Sequence, residues 1–395
     1  MVLATVLALM VASCAPSAPT PTTGAVQPPK FVEPDVIKIG INVEATGPAA
    51  AVGNMLTSGV TLAYELRPTV LGKPVELVVY DNKGDKNEAY NAAVRLMEQD
   101  KVTGVVGPVY STLCLATGEA GEKYHVPSIG PSTTNPLTTV DRKYFFRACF
   151  MNTDQGWNAV RYAVDSMGAK TAALFMDIGE DSAVDGCTRF ARLFITKTGD
   201  PKSIVATVTY TAGDRDFTSQ LSLLKQLQPD VIYNPMRPDG AAMMYEQAHA
   251  LGYDTFQMIG DDAVDAPETL MLGGEHVEGL LTTTHFHPDA GLTEQATKFV
   301  EAFRAKYNRN PSGIEAQSFD SYNMMLTAIE NAGTADPEAV RDAIENLKDF
   351  PGATGPITMT PTHNPKKYTY MIRVENGEWA FVEALPPEDV PETVF

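Results

Sequence analysis

Apolar and polar positions fall into blocks along this chain, and the blocks predict a regular succession of strands and helices. The plainest case is residues 102–136. A β-branched apolar run at 102–106 ends at Gly107-Pro108, and a polar loop, Tyr110-Ser111-Thr112, opens a helically spaced segment at 113–124. A second apolar run, 126–129, ends at Gly130-Pro131 and is followed by a hydroxyl-rich loop, Ser132-Thr133-Thr134-Asn135. Short apolar runs bounded by Gly and Pro are the signature of parallel strands buried on both faces. Upstream, the pattern predicts a strand at 36–42, a Gly-rich loop at 44–53, a helix through Arg67 and a strand at 75–81. A helix at 87–99 follows, with Ala89, Ala93, Leu96 and Met97 on one face. Downstream of an apolar stretch at 144–149, helices at 155–167, 185–198, 217–228 and 240–251 interleave with strands at 171–176, 204–209, 230–234, 256–260 and 279–283. Helices at 294–307, 318–332 and 337–346 come next, then strands at 357–359, 368–374 and 379–383. The last two predict a hairpin around Glu375-Asn376-Gly377. The chain therefore reads as α/β, with two βαβ-rich blocks and no close repeat between them.

In a parallel βαβ unit the two loops of residues 102–136 sit at the carboxyl ends of their strands, where open α/β sheets place ligands. Ser111 stands where a helix begins, so its hydroxyl and the nearby backbone N–H groups suit a small anion. Spacing alone allows a second account, in which Ser111 is an N-cap and residues 132–135 form a turn.

The length of 395 residues accommodates two or three globular units, and 44% apolar with 20% charged residues is an ordinary globular composition. A net charge of −19 argues against nucleic acid and anionic membrane surfaces as partners. Residues 2–11 are an apolar run interrupted only by Thr5, too short to span a bilayer, and Ala12-Ser13-Cys14 follow. This predicts an export signal with its cleavage site at residues 1–14. No Lys or Arg precedes the run, so the signal is atypical or begins upstream. Residues 15–35 hold six prolines among Ala, Ser and Thr and predict an extended tether. Cys114, Cys149 and Cys187 allow one disulfide and a thiol, or three thiols, and none has metal-ligand spacing.

Gly107-Pro-Val-Tyr-Ser-Thr followed by His125-Val-Pro-Ser-Ile-Gly-Pro-Ser-Thr-Thr-Asn-Pro closely resembles the substrate-binding proteins of branched-chain amino-acid ABC transporters, the type I periplasmic-binding fold. Residues 37–53, 80–89 and 258–264 add to the likeness, which covers nearly everything after about Val36. The resemblance implies two doubly wound parallel-sheet lobes joined by a three-segment hinge, with passages near Cys149, near Thr284 and at 354–359. It places lobe 1 at 36–148 and 285–355, and lobe 2 at 149–284 and 356–395. Residues 11–14 resemble a bacterial lipobox, which implies lipid on Cys14, and a lipid-anchored monomer working with an ABC permease.

Carried over by position, the resemblance implies that Ser111 and Thr134 hold a ligand α-carboxylate, and that the carbonyl of Ser132 and the carboxylate of Asp262 accept from its ammonium. A zwitterion needs both, because either charge buried alone is costly. Val52 and Arg237 stand where the family often has aromatic residues. Arg237 either takes a second carboxylate or pairs with Asp239 at the rim, the latter being favoured. Glu44 and Glu315 lie in loops placed to border the cleft, with a solvated charge the favoured account of each, and the loop 179–186 looks longer than the family's.

An enzyme is the rival class, but there is no Gly-x-Ser-x-Gly, phosphate loop or dinucleotide fingerprint. His285-x-His287 with Asp289 mimics a metal site, and an incidental pair is the stronger account. The expectation is thus a non-enzymatic, exported solute-binding lipoprotein without cofactor, taking an amino acid. The alternatives are a small carboxylate, amide or urea-like ligand, or a ligand sensor.

Overall fold

The computed structural model describes residues 31–47, 49–211 and 213–391. The lipidation expected at Cys14 lies outside them. From Glu33 onward the chain is one compact unit built on two large sheets.

The first sheet comprises β1 (Ile37–Val43), β2 (Thr69–Val70), β3 (Lys73–Asp81), β4 (Gly104–Val106), β5 (Ser128–Gly130) and β6 (Phe145–Arg147), in the order β2-β3-β1-β4-β5-β6. All neighbours are parallel except the short β2, which runs antiparallel to β3. Its connecting helices are α1 (Ala50–Leu66), α2 (Lys86–Val94) and α3 (Ser111–Tyr124). After Arg147 the chain passes to a second set: α4 (Asn152–Arg161), β7 (Ala172–Asp177), α5 (Asp181–Thr198), β8 (Ile204–Tyr210), α6 (Thr218–Leu227), β9 (Val231–Tyr233), α7 (Pro238–Ala250), β10 (Met258–Gly260), α8 (Pro267–Gly273) and β11 (Leu281–Thr284).

The chain then returns with α9 (Glu294–Tyr307), α10 (Gly313–Ala332) and α11 (Pro337–Glu345). Apolar residues of α9, α10 and α11 share one core with β1 and α1. Gly59 of α1 shows how close α10 comes, because a Cβ there would lie 2.3 Å from the Glu315 carbonyl oxygen. A small antiparallel sheet follows, β12 (Phe350–Gly352), β13 (Gly355–Met359) and β14 (Pro365–Lys366). Ile357 and Met359 still pack in the first core, so the third passage falls after Met359 rather than at 354–359. Finally β15 (Thr369–Glu375) and β16 (Glu378–Leu385) complete the second sheet, ordered β16-β15-β11-β10-β9-β7-β8. Their hairpin turns at Asn376 (φ 55°) and Gly377 (φ 76°), the left-handed pair that a two-residue loop requires.

The passages are tied by buried polar groups. Lys367 donates to the Ala148 carbonyl (3.0 Å) in the first passage and to Thr354 Oγ1 (2.7 Å). Thr354 in turn donates to Asp320 of α10 through its N–H (2.9 Å) and its hydroxyl (2.6 Å). Burial brings the Lys367 amine down to about 8.

Two expected boundaries move furthest. Helix α5 begins at Asp181, so the long loop expected at 179–186 is short. Helix α10 begins five residues before the expected 318, because Ser312 and Glu315 form a reciprocal cap.

Candidate functional site

The first half of the site is the junction of β4, α3 and the loop after β5. Gly107 carries the chain off β4 with φ +89°, and a Cβ there would come 2.3 Å from the Asn42 carbonyl oxygen, so only glycine lets this turn lie against β1. Glu44, just beyond β1, is fully buried. Its Oε1 accepts the backbone N–H groups of Val109 (3.0 Å) and Tyr110 (3.2 Å), and its Oε2 has no partner. Burial pushes the Glu44 carboxyl above its usual value, against the pull of those two donors. The solvated charge expected at Glu44 is therefore corrected: the protein's own carboxyl takes two of the N–H groups ahead of α3.

Ser111 is the first residue of α3, with Tyr110 in the cap position, so it is not the N-cap. Its Oγ accepts from the buried hydroxyl of Thr133 (3.0 Å), which leaves the Ser111 proton for another acceptor. The N–H groups of Ser111 and Thr112, in the first turn of α3, have no carbonyl within the helix to bond. The loop that brings Thr133 here is fastened by Arg147, a fully buried arginine at the end of β6. Its guanidinium donates to the carbonyls of Thr133 (2.7 Å) and Asn135 (2.9 Å) and to the hydroxyls of Thr138 (2.8 Å) and Thr139 (3.1 Å). Ser132 and Thr134 flank Thr133 and are half-buried. The Thr134 carbonyl also accepts the N–H of Asn152 at the start of α4 (3.4 Å), across the first passage.

The second half lies after β10. Asp262 is held at both oxygens: Gln155 Nε2 donates to Oδ1 (2.9 Å), and His285 Nε2 lies 3.1 Å from Oδ2. Burial works to raise this carboxyl, but the hydrogen bond from His285, the attraction of that ring when it carries charge, and the bond from Gln155 hold it below the usual carboxylate value. Burial, with Asp262 beside it, pushes Asp261 well up. Burial also raises Asp265 to about 6, although Thr284 Oγ1 donates to it at 2.5 Å. Of these two neighbouring carboxyls, Asp262 is the one held toward its ionised form.

Other residues settle differently. Val52 is half-buried on α1 and packs against the first core. Arg237 is exposed and pairs with Glu180 (3.5 Å), not Asp239, which lies 3.7 Å from Arg215. Glu315 is corrected from a solvated charge to a buried one, with Arg309 and Ser312 N on its carboxylate. His285 and His287 go to separate partners, Asp262 and the Trp379 carbonyl, and among the described residues no cluster of three or more metal-ligating side chains occurs. Cys114, Cys149 and Cys187 are all buried thiols.

A model of the periplasmic binding protein family matches residues 36–378. The chain belongs to that family. The binding protein is 37% identical to the structure of a leucine-binding protein from Thermotoga maritima, with TM-score 0.75 over 89% of this chain and 99% of that one. It is 30% identical to the branched-chain amino-acid transporter substrate-binding protein of Streptococcus pneumoniae in complex with isoleucine, with TM-score 0.74 over 89% and 100%. A leucine-, isoleucine-, valine-, threonine- and alanine-binding protein of Pseudomonas aeruginosa is 29% identical over 86% of this chain and 89% of its own length. The binding protein is therefore of the branched-chain amino-acid ABC transporter type, and its relatives are solute-binding proteins. Among its described residues no helix is long and apolar enough to cross a membrane.

Sequence reasoning missed Gln155 and Arg147, singled out Glu44 but favoured a solvated charge, and met His285 only as half of an incidental pair. Arg147 alone left a visible signal, a single charge inside the apolar run 144–150.

Proposed function

We propose that this protein is an extracytoplasmic lipoprotein that captures a branched-chain or similar amino acid for an ABC importer. The reading is carried by the division of labour between the lobes. In the first, the Ser111 hydroxyl and the free head of α3 offer donors to a carboxylate, beside Thr134. In the second, Asp262 is held ionised and offers an acceptor to an ammonium. The first lobe binds, and the second closes over the ligand by rotation about the three passages. The closed form is what the permease engages, and Cys14 carries the lipid that keeps the protein at the membrane. Nothing in this scheme turns a substrate over. The amino-acid ligands of the relatives support the same reading.

The test is calorimetry with a matched pair, L-leucine and its des-amino analogue isocaproate. The amino acid should bind more tightly by about tenfold or more, the worth of a charge-assisted hydrogen bond in a closed cleft. Equal affinities would move the protein to the carboxylate-binding reading. The anchor is tested by the intact mass of the mature protein from its native host, which should begin at a lipidated Cys14.

A further inference from the structure

His285 does more than fill space behind Asp262. Its ring is 5% exposed and lies flat on Phe150, with centroids 3.8 Å apart. Nε2 meets Asp262 Oδ2, while Nδ1 is buried without a partner. Gln155 completes the clamp from α4. Its Oε1 accepts both the Asp262 N–H (2.9 Å) and the Thr283 hydroxyl (2.7 Å), which fixes the amide so that Nε2 faces Asp262 Oδ1. Each carboxylate oxygen has two lone pairs and one fixed donor, so one acceptor position remains on each. A quarter of the Asp262 side chain is exposed to reach a ligand.

We propose that His285 is a positioning residue for the ammonium end of the site: its neutral ring aims Asp262, and protonation of that ring weakens the binding of a ligand cation. This rests on the reading of Asp262 given above. The neutral tautomer with its hydrogen on Nε2 satisfies the geometry and leaves only a bare lone pair at the buried Nδ1. A second proton would bury an unmatched N–H and set a full positive charge 3.1 Å from the carboxylate that the ammonium needs. Burial keeps His285 below its ordinary value of 6.5 despite the neighbouring Asp262, so the ring is neutral at neutral pH. The sign follows: affinity for a cation is full near neutrality and falls only as pH drops below 6.5.

The other charges around the pair are accounted for. Asp261 and Asp265 stand on the same loop as Asp262, Lys367 approaches from the third passage and Cys149 from the first. On α10, Glu315 is occupied by Arg309. Asp265, at about 6, Asp261, pushed well up, and Lys367, at about 8, are the rivals that titrate within the range tested.

Calorimetry of the full chain with L-leucine and with isocaproate, from about pH 8 to about pH 5, tests the inference. Leucine affinity should fall on the acid side by more than isocaproate loses as its own carboxyl begins to protonate. His285→Gln places a non-titrating amide nitrogen near the position of Nε2. It should keep leucine affinity within about threefold at neutral pH and abolish the acid-side fall. Asp265→Asn should retain that fall. His285→Ala should weaken leucine about tenfold and spare isocaproate. A His285→Gln protein with the wild-type profile, or a His285→Ala protein that weakens both ligands equally, overturns the inference. If the wild type binds no amino acid, the proposed function fails on its own account. The side-chain nitrogen spectrum of His285 in ligand-free protein then decides the pairing: a neutral ring protonated at Nε2 supports it, and any other form at neutral pH sinks it.

Discussion

Glu44 is a buried carboxyl and Asp262 a partly buried one, and their surroundings send them in opposite directions. Glu44 meets only two backbone N–H groups, burial prevails, and its carboxyl rises toward the neutral form. Asp262 meets a histidine and an amide, and those partners hold it ionised. On the proposed reading, the shift at Glu44 eases the approach of a carboxylate to the first lobe, while Asp262 favours an ammonium at the second. On this account Ser111→Ala and Thr134→Ala should each cost roughly 1.5 to 3 kcal/mol of binding, about ten- to a hundredfold in affinity by calorimetry. The hydroxyl loops were legible because Ser and Thr cluster at strand ends. Glu44 was not, because its donors, Val109 and Tyr110, lie some 65 residues away in sequence. The partner of Arg237 was hidden for the same reason: Glu180 is reached only across the fold.

At the scale of elements, helices such as α9 stand where the apolar spacing put them, and the strands differ from it by a residue or two. Spacing failed where packing is not periodic. Helix α8 exposes Met271 and Leu272, so it offers no apolar face to read. Helices α2 and α4 each run on into a wider turn, Arg95–Gln99 and Tyr162–Ser166, that no residue pattern announces. The passages between lobes hide their chemistry in the same way, since Lys367 gives no hint in sequence that it will be buried. Its amine sits at about 8 in the folded protein against 10.5 ordinarily. Between those two values the unfolded chain holds a proton that the folded chain has released, so folding stability rises with pH across that window. The gain is worth up to about 3 kcal/mol. Denaturant melts should show it in the wild type, and Lys367→Met should flatten it.

For the whole molecule, the proposed function makes the three passages the place of rotation, and closure should bring the lobes together as bodies. Small-angle scattering should record a fall of roughly an ångström in radius of gyration on adding L-leucine, and no fall with a ligand that does not bind. The two-lobed plan was legible in sequence through the family resemblance, whereas pattern alone could not assign the late helices to a lobe. That assignment is made by the crossing of α1 and α10 at Gly59, and the crossing has a temporal meaning as well. A chain emerging amino end first exposes Leu56, Val60 and Ala63 of α1 long before residue 313 arrives to cover them. The second lobe is threaded between the two halves of the first, and neither lobe is complete until nearly the whole chain has appeared. Such long-range closure is slow to nucleate. A polypeptide that delays its own folding in this way stays threadable for as long as it is being moved.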